Sequence, residues 1–181
     1  MRFAVYCGSA VGDNEAYKTS AITLAGLLYK HGIGIVYGGG NIGIMGVLAD
    51  ESVRLGNEII GVIPSILFER EVAHRNLTEI HVVNNMHERK QLMFDLCDAV
   101  IALPGGIGTM EELFEAYTWN QIGIHHKPCA ALNVNGFYNH LDSLLKHMEE
   151  SGFLRTSQKD LLKFFTNEED MVRDLIERIK G

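Results

Sequence analysis

The segment Ala102-Leu103-Pro104-Gly105-Gly106-Ile107-Gly108-Thr109-Met110-Glu111-Glu112 joins two different periodicities. Ahead of it, Ala99 to Leu103 is a continuous apolar run of the kind that forms a buried strand. Behind it, Leu113, Phe114, Tyr117 and Ile122 recur at helix-like intervals. The segment therefore reads as a strand, a glycine-rich turn and the head of a helix that runs from Met110 to about Gly123. A first helical turn leaves backbone N–H groups unpaired and carries the positive end of the helix dipole. Glycines let that backbone lie against an anion with no Cβ in the way, so a phosphate is the default ligand. Thr109 is expected to cap the helix and to offer its hydroxyl to the same anion. Glu111 and Glu112 follow at once. A carboxylate there gains about 0.3–1 kcal/mol from the dipole, but it repels a phosphate placed beside it. The tasks separate: Gly105, Gly106, Ile107, Gly108 and Thr109 hold the anion, and a glutamate one turn later faces another part of the ligand.

Outward from this segment, strands and helices alternate. Phe3 to Cys7 reads as a strand ending at Gly8-Ser9, and Tyr17 to His31 as a helix burying Ile22, Leu24, Ala25, Leu27 and Leu28. Residues 32–37 form a second buried strand that runs into Gly38-Gly39-Gly40. A helix from Ile44 to Leu55 and a strand from Glu58 to Ile63, stopped by Pro64, come next. After an irregular, charged stretch (65–75) come a strand from Leu77 to Val83 and a helix from His87 to Leu96. Beyond the central helix are a strand (Pro128 to Asn133), a helix (Tyr138 to Glu150), an apolar stretch (Leu161 to Phe165) and a last helix (Glu168 to Lys180). Such near-uniformly apolar strands predict a parallel sheet covered on both faces. The fold class is a doubly wound, Rossmann-like α/β domain, a single nucleotide-binding unit spanning 1–181, with helices on both faces and its glycine turns gathered at the carboxyl edge.

Composition narrows the function. For a chain of 181 residues, a formal charge of −7 argues against a general nucleic-acid or membrane-surface binder, since both need a basic face, and leaves room for a local basic pocket. No membrane span is visible, and Cys7, Cys97 and Cys129, scattered and without a Cys-x-x-Cys, read as reduced thiols of a cytoplasmic protein. Gly38-x-Gly40-x-x-Gly43 matches a dinucleotide fingerprint, but the acid that should end the next strand is missing: that strand closes Ile63-Pro64-Ser65. There is no G-x-x-x-x-G-K-[ST] and no G-x-S-x-G, so Ser9 reads as a turn or phosphate-edge residue. The eight histidines include neither His-x-x-x-His nor His-Glu-x-x-His, and no metal site is assigned. Met86-His87-Glu88-Arg89-Lys90 follows a strand that should deliver it to the carboxyl edge, where Arg89 could bind an anion in a bidentate way.

Pro104-Gly105-Gly106-x-Gly108-Thr109-x-x-Glu112 resembles the PGGxGTxxE signature of the LOG family, the cytokinin riboside 5′-monophosphate phosphoribohydrolases. The resemblance extends through Cys7-Gly8-Ser9, Tyr37-Gly38-Gly39-Gly40, Gly43-x-Met45-Gly46, Gly61-Val62-Ile63-Pro64, Met86-x-x-Arg89-Lys90, Thr118-Trp119 and Lys127-Pro128. It implies hydrolysis of the N-glycosidic bond of an adenosine 5′-monophosphate, often N6-prenylated, giving free base and ribose 5-phosphate. Arg89 and Glu112 match the family's catalytic positions. Glu71, Lys90 and Thr118 match substrate-binding positions, the glycine loop cradles the 5′-phosphate, Ser9 and Gly39 lie on neighbouring turns, and Met86 lines the base. No cofactor is implied, the partner is a small nucleotide monophosphate, and a homodimer is expected.

The chemistry agrees. Breaking a C–N glycosidic bond passes through an oxocarbenium-like state that a fixed carboxylate stabilises while it orients or deprotonates water. Glu112 is assigned that role, with Arg89 positioning it and the ribose or stabilising the departing base. Adjacent helical residues point about 100° apart, so Glu111 is expected to face solvent. Phe68, Phe114 and Trp119 are candidates to wall a prenyl pocket, and a helix face with Leu92, Met93 and Leu96 is a candidate dimer surface. The rival reading is a non-catalytic nucleotide-binding or sensor protein on the same fold.

Overall fold

The computed structural model describes residues 1–68 and 73–181. In chain order the elements are β1 (Arg2–Tyr6), α1 (Glu15–Lys30), β2 (Gly34–Tyr37), α2 (Gly43–Leu55), β3 (Ile59–Pro64) and α3 (Ser65–Phe68). They continue with β4 (Glu79–Val83), α4 (Met86–Asp95), β5 (Ala99–Ala102), α5 (Ile107–Gln121), β6 (Cys129–Leu132), α6 (Asn139–Glu150), α7 (Thr156–Lys159), β7 (Leu162–Phe165) and α8 (Glu168–Lys180). The strands form one seven-stranded sheet in the order β4-β3-β2-β1-β5-β6-β7. Every pairing is parallel; Phe3 sits opposite both Ile35 and Ala99.

Alternation along the strands divides the core into two layers. Phe3, Val5, Ile35 and Ile101 pack with Leu24 and Leu28 of α1, Leu48 of α2 and Leu175 of α8 on one face. Ala4, Tyr6, Val36 and Val100 pack with Met93 of α4, Leu113 of α5 and Leu145 of α6 on the other. This is the two-sided covering that the continuous apolar strands predict.

Several faces differ from the sequence reading. In α1 the buried set is Ser20, Ala21, Leu24, Ala25 and Leu28, while Ile22 is exposed. Ile122 lies past the end of α5 and is exposed too. Met93 is fully buried, and Leu92 and Leu96 pack on the same core, so that face of α4 serves its own sheet. β4 lies at the sheet edge with Ile80 and Val82 exposed.

The strand order reverses between β1 and β5. Chain order runs one way from β1 to β4, then restarts on the other side of β1 with β5. Such a switch splays the connections apart and opens a crevice at the carboxyl ends of the two strands. The loops that flank it are Cys7-Gly8-Ser9 and Leu103 to Gly106.

Candidate active site

Helices that follow strands begin at the carboxyl edge, and each must satisfy the N–H groups of its first turn. In α1 the Asn14 side chain accepts from the Ala16 N–H at 2.9 Å, and in α4 Asn85 accepts from the Glu88 N–H at 3.0 Å. α2 is closed by the chain itself: the Gly8 carbonyl accepts from the N–H groups of Ile44 and Met45 at 3.0 and 3.3 Å. Gly43, at φ +64°, lies so close that a Cβ would collide with the Ser9 backbone. The Gly38-x-Gly40-x-x-Gly43 spacing therefore ends on a filled helix head, with no seat for a pyrophosphate. α5 is the open one. Its cap is Gly106, which has no side chain, so the N–H groups of Ile107, Gly108 and Thr109 lack intrahelical acceptors.

That head opens onto a crevice of about 320 Å³. Val5, Tyr6, Cys7 and Ser9 supply its β1 side; Gly38, Met45, Leu67, Met86 and Arg89 come from the connections after β2, β3 and β4. Gly106, Ile107, Gly108, Thr109, Glu111 and Glu112 supply the α5 side. Arg89 is only 5% exposed. Its Nη2 donates to the Gly38 carbonyl at 3.2 Å, Nη1 lies 3.8 Å from the Met86 sulfur, and Nε has no hydrogen-bond partner. Gly38 makes the room, since a Cβ there would fall on the Arg89 Nη2. A buried guanidinium with an unused donor is costly unless a ligand completes its bonding.

Glu112 faces the same space. Burial pushes the Tyr6 hydroxyl and the Cys7 thiol far above their ordinary ranges, and the Glu112 carboxylate raises both further. The Arg89 guanidinium pulls the Cys7 thiol back down. Glu112 and Arg89 thus act on one point at the end of β1, from opposite signs. The crevice presents a dipole-positive helix head, a buried cation and a carboxylate one turn deeper.

The other expected site residues divide. Ser9, Met86, Gly106, Ile107, Gly108 and Thr109 line the crevice. Thr109 is inside the helix rather than its cap: it is buried, and its hydroxyl packs against Gly105, where any Cβ would collide with it. Gly105 itself lines a separate apolar recess of about 230 Å³ behind the loop, with Tyr17, Ile44 and Phe137. Gly39 is a turn residue, at φ +78° against Ile63, and its carbonyl accepts from the His74 N–H at 3.0 Å; Gly38 borders the crevice instead. Thr118 is exposed on α5, about 13 Å along the helix axis from Thr109. Glu71 lies outside the described residues. Lys90 does not itself line the crevice; its ammonium pairs with Glu111 at the crevice wall at 2.5 Å and with Glu115 at 3.0 Å, so Glu111 is ion-paired rather than simply solvent-facing.

The suggested prenyl-pocket aromatics do not border the crevice. Trp119 packs edge-on against Phe94 at 5.4 Å, Phe114 joins the core, and Phe68 borders a different hollow with His74 and Arg75. Leu67 and Met86 provide the apolar wall. Tyr6 and Leu67 are not among the residues the sequence singles out, and Met45 enters there only within Gly43-x-Met45-Gly46, with no role of its own. Tyr6 carries a signal, as a strand residue that feeds a glycine turn.

The chain matches a protein-family model described as "Possible lysine decarboxylase" over residues 45–175. It is 42% identical to a cytokinin riboside 5′-monophosphate phosphoribohydrolase of Arabidopsis thaliana, over 96% of this chain and 82% of that one. It is 44% identical to a probable cytokinin riboside 5′-monophosphate phosphoribohydrolase of Oryza sativa subsp. japonica, over 89% and 76%. The molybdenum cofactor binding protein of Rippkaea orientalis shares the fold, with a TM-score of 0.73 at 20% identity over 99% and 97% of the two chains. The molybdenum cofactor carrier protein of Chlamydomonas reinhardtii does so with a TM-score of 0.73 at 14% identity over 99% and 98%. With relatives this similar along nearly its whole length, the chain belongs to the LOG family, the cytokinin riboside 5′-monophosphate phosphoribohydrolases.

Proposed function

We propose that this protein hydrolyses the N-glycosidic bond of N6-substituted adenosine 5′-monophosphates, releasing the free base and ribose 5-phosphate. The observation that carries the reading is one crevice holding an uncapped helix head, a buried arginine and a glutamate on the same helix. The 5′-phosphate sits on the N–H groups of residues 107 to 109. That anchor aims the ribose along α5, so its anomeric carbon comes beside Glu112. As the C–N bond breaks, its electron pair leaves on the base, which takes up a proton. The Glu112 carboxylate stabilises the positive charge developing on the sugar and accepts a proton from the attacking water. Arg89, held by Gly38, uses its remaining donors on the ribose or the departing base.

Two further properties belong to this reading. Among the described residues no helix is long and apolar enough to cross a membrane, and the three buried free thiols suit the reducing cytoplasm, where we place the protein. We also propose a homodimer: Ile107, Ile122 and Ile124 are 86%, 64% and 62% exposed, at and beyond the two ends of α5, where a second copy would cover them.

The test is incubation of the purified protein with AMP, N6-isopentenyl-AMP and the matching nucleosides, followed by chromatography for free base. Base released from the monophosphates and not from the nucleosides is the expected result. Equal release from nucleosides would remove the phosphate anchor from the mechanism; no release from any of them would leave a binding protein.

A further inference from the structure

Arg89 and Glu112 share a crevice although they come from distant parts of the sheet. α4 enters from β4 at the edge, and three strands (β3, β2 and β1) separate it from β5, which feeds α5. Strand pairing alone does not set how far Arg89 stands from Glu112. Arg89 is tied to the Gly38 carbonyl at the end of β2. α4 is also joined to α5: Phe94 packs edge-on against Trp119 at 5.4 Å, and a charged link lies next to Arg89 itself. Lys90 follows Arg89 in α4, and its ammonium sits 2.5 Å from Glu111 and 3.0 Å from Glu115 of α5. The side chain is 9% exposed, and the two carboxylates stand one turn apart, so both address one cation. Each end of the link is the chain neighbour of a crevice residue: Lys90 of Arg89, Glu111 of Glu112.

We infer that Lys90 is a positioning residue: its bridge to Glu111 and Glu115 holds α4 against α5 so that Arg89 and Glu112 meet the same ribose, and it neutralises two carboxylates beside the phosphate seat. The first effect acts on turnover and the second on affinity. Burial pulls the Lys90 ammonium's pKa down, and its hydrogen bonds to Glu111 and Glu115 raise it by more, so the bridge is charged throughout the neutral range. The turnover half of this inference rests on the hydrolase reading above; the affinity half needs only nucleotide binding.

The experiment compares wild type with Lys90→Met, Lys90→Arg, the pair Glu111→Gln/Glu115→Gln, and the triple variant that combines this pair with Lys90→Met. Readouts are kcat and KM for N6-isopentenyl-AMP, Kd for AMP by calorimetry, and the thermal unfolding midpoint. The glutamine pair, with Lys90 intact, is expected to lose about tenfold or more in kcat, because a loosened α4 misplaces Arg89. Lys90→Met is expected to lose kcat and also to weaken AMP binding, and Lys90→Arg, whose fork still reaches both carboxylates, to recover most of both. The triple variant is expected to regain the AMP affinity of wild type without its kcat. A glutamine pair that turns over like wild type, together with an affinity loss in Lys90→Met that the triple variant does not repair, would overturn the inference and make Lys90 a direct ligand of the nucleotide. Should Lys90→Met fail to fold, the glutamine pair and Lys90→Arg decide. If wild type binds AMP but releases no base, the hydrolase reading falls, and the affinities then decide: repair by the glutamines supports the bridge, and failure to repair sinks it.

Discussion

Arg89 and Glu112 are held by different means, and substitutions should separate them. Glu112 is fixed by its helix and lines the crevice, where the proposed mechanism sets it beside the anomeric carbon. Glu112→Gln keeps its volume and removes its charge, so kcat should fall by about 10²–10⁴-fold while AMP affinity holds, read by base release and calorimetry. Arg89 is fixed by a hole in the backbone. Gly38→Ala places a methyl where Nη2 now donates to the Gly38 carbonyl, and kcat should drop by about 10–10²-fold with the unfolding midpoint nearly unchanged. Unaltered kcat in Gly38→Ala would show that Arg89 needs no fixed position. Both crevice residues were legible in the sequence because a glycine turn or a strand end placed them at the ligand edge. The direction of Lys90 was not, although the same 100° rotation that separates Glu111 from Glu112 also separates Lys90 from Arg89. The family resemblance alone puts Lys90 in the site; only its two carboxylate partners on another helix show where it points.

α5 is the element on which the proposed chemistry hangs, and its one glycine, Gly108, runs against helix preference. A Cβ at Gly108 would meet nothing in the protein, yet the residue lies in the first turn of α5 and borders the crevice. Gly108→Ala should therefore stabilise the fold by up to about 1 kcal/mol, while the added methyl weakens AMP binding. Opposite signs in thermal unfolding and calorimetry are the expected result; equal affinity would move the phosphate elsewhere. Element type was readable for the longer strands and helices, because apolar runs and helical spacing differ so plainly here; the four-residue helices α3 and α7 are too short to show a period, and β7 reads only as an apolar stretch. Element faces were less so. Ile22 and Ile122 match a helical apolar stripe by spacing, yet both are exposed, since burial depends on what lies opposite and not on period alone. By residue type Thr109 is the best cap for α5, whereas Gly106 caps it and leaves the first turn bare. Capping preference misleads where a helix head is left unfilled.

Across the whole molecule, an all-parallel sheet buried on both faces encloses groups that ionise only at a cost. Burial pushes the Cys97 thiol from its ordinary 9.0 up to about 11, the Cys129 thiol to about 12, and the Tyr117 hydroxyl from 10.0 to about 12. Between pH 9 and these values the unfolded chain has released protons that the folded chain still binds, so stability falls as pH rises. The loss should approach about 1 kcal/mol per thiol for each pH unit above 9, seen as a lower urea midpoint at pH 10 than at pH 8. A flat midpoint would mean that the thiols are hydrated. The parallel sheet and its ligand edge could be foretold from uniform apolar strands ending in glycine turns. The strand order that puts the switch between β1 and β5 could not, because it is set by which strands pair, and local sequence does not record that. The decisive measurement is a crystal structure of Glu112→Gln with AMP bound. The phosphate oxygens are expected within hydrogen-bond reach of the N–H groups of residues 107 to 109, with the anomeric carbon between Arg89 and the glutamine. A nucleotide lying with its phosphate away from the head of α5, or with its anomeric carbon turned from residue 112, would contradict the mechanism.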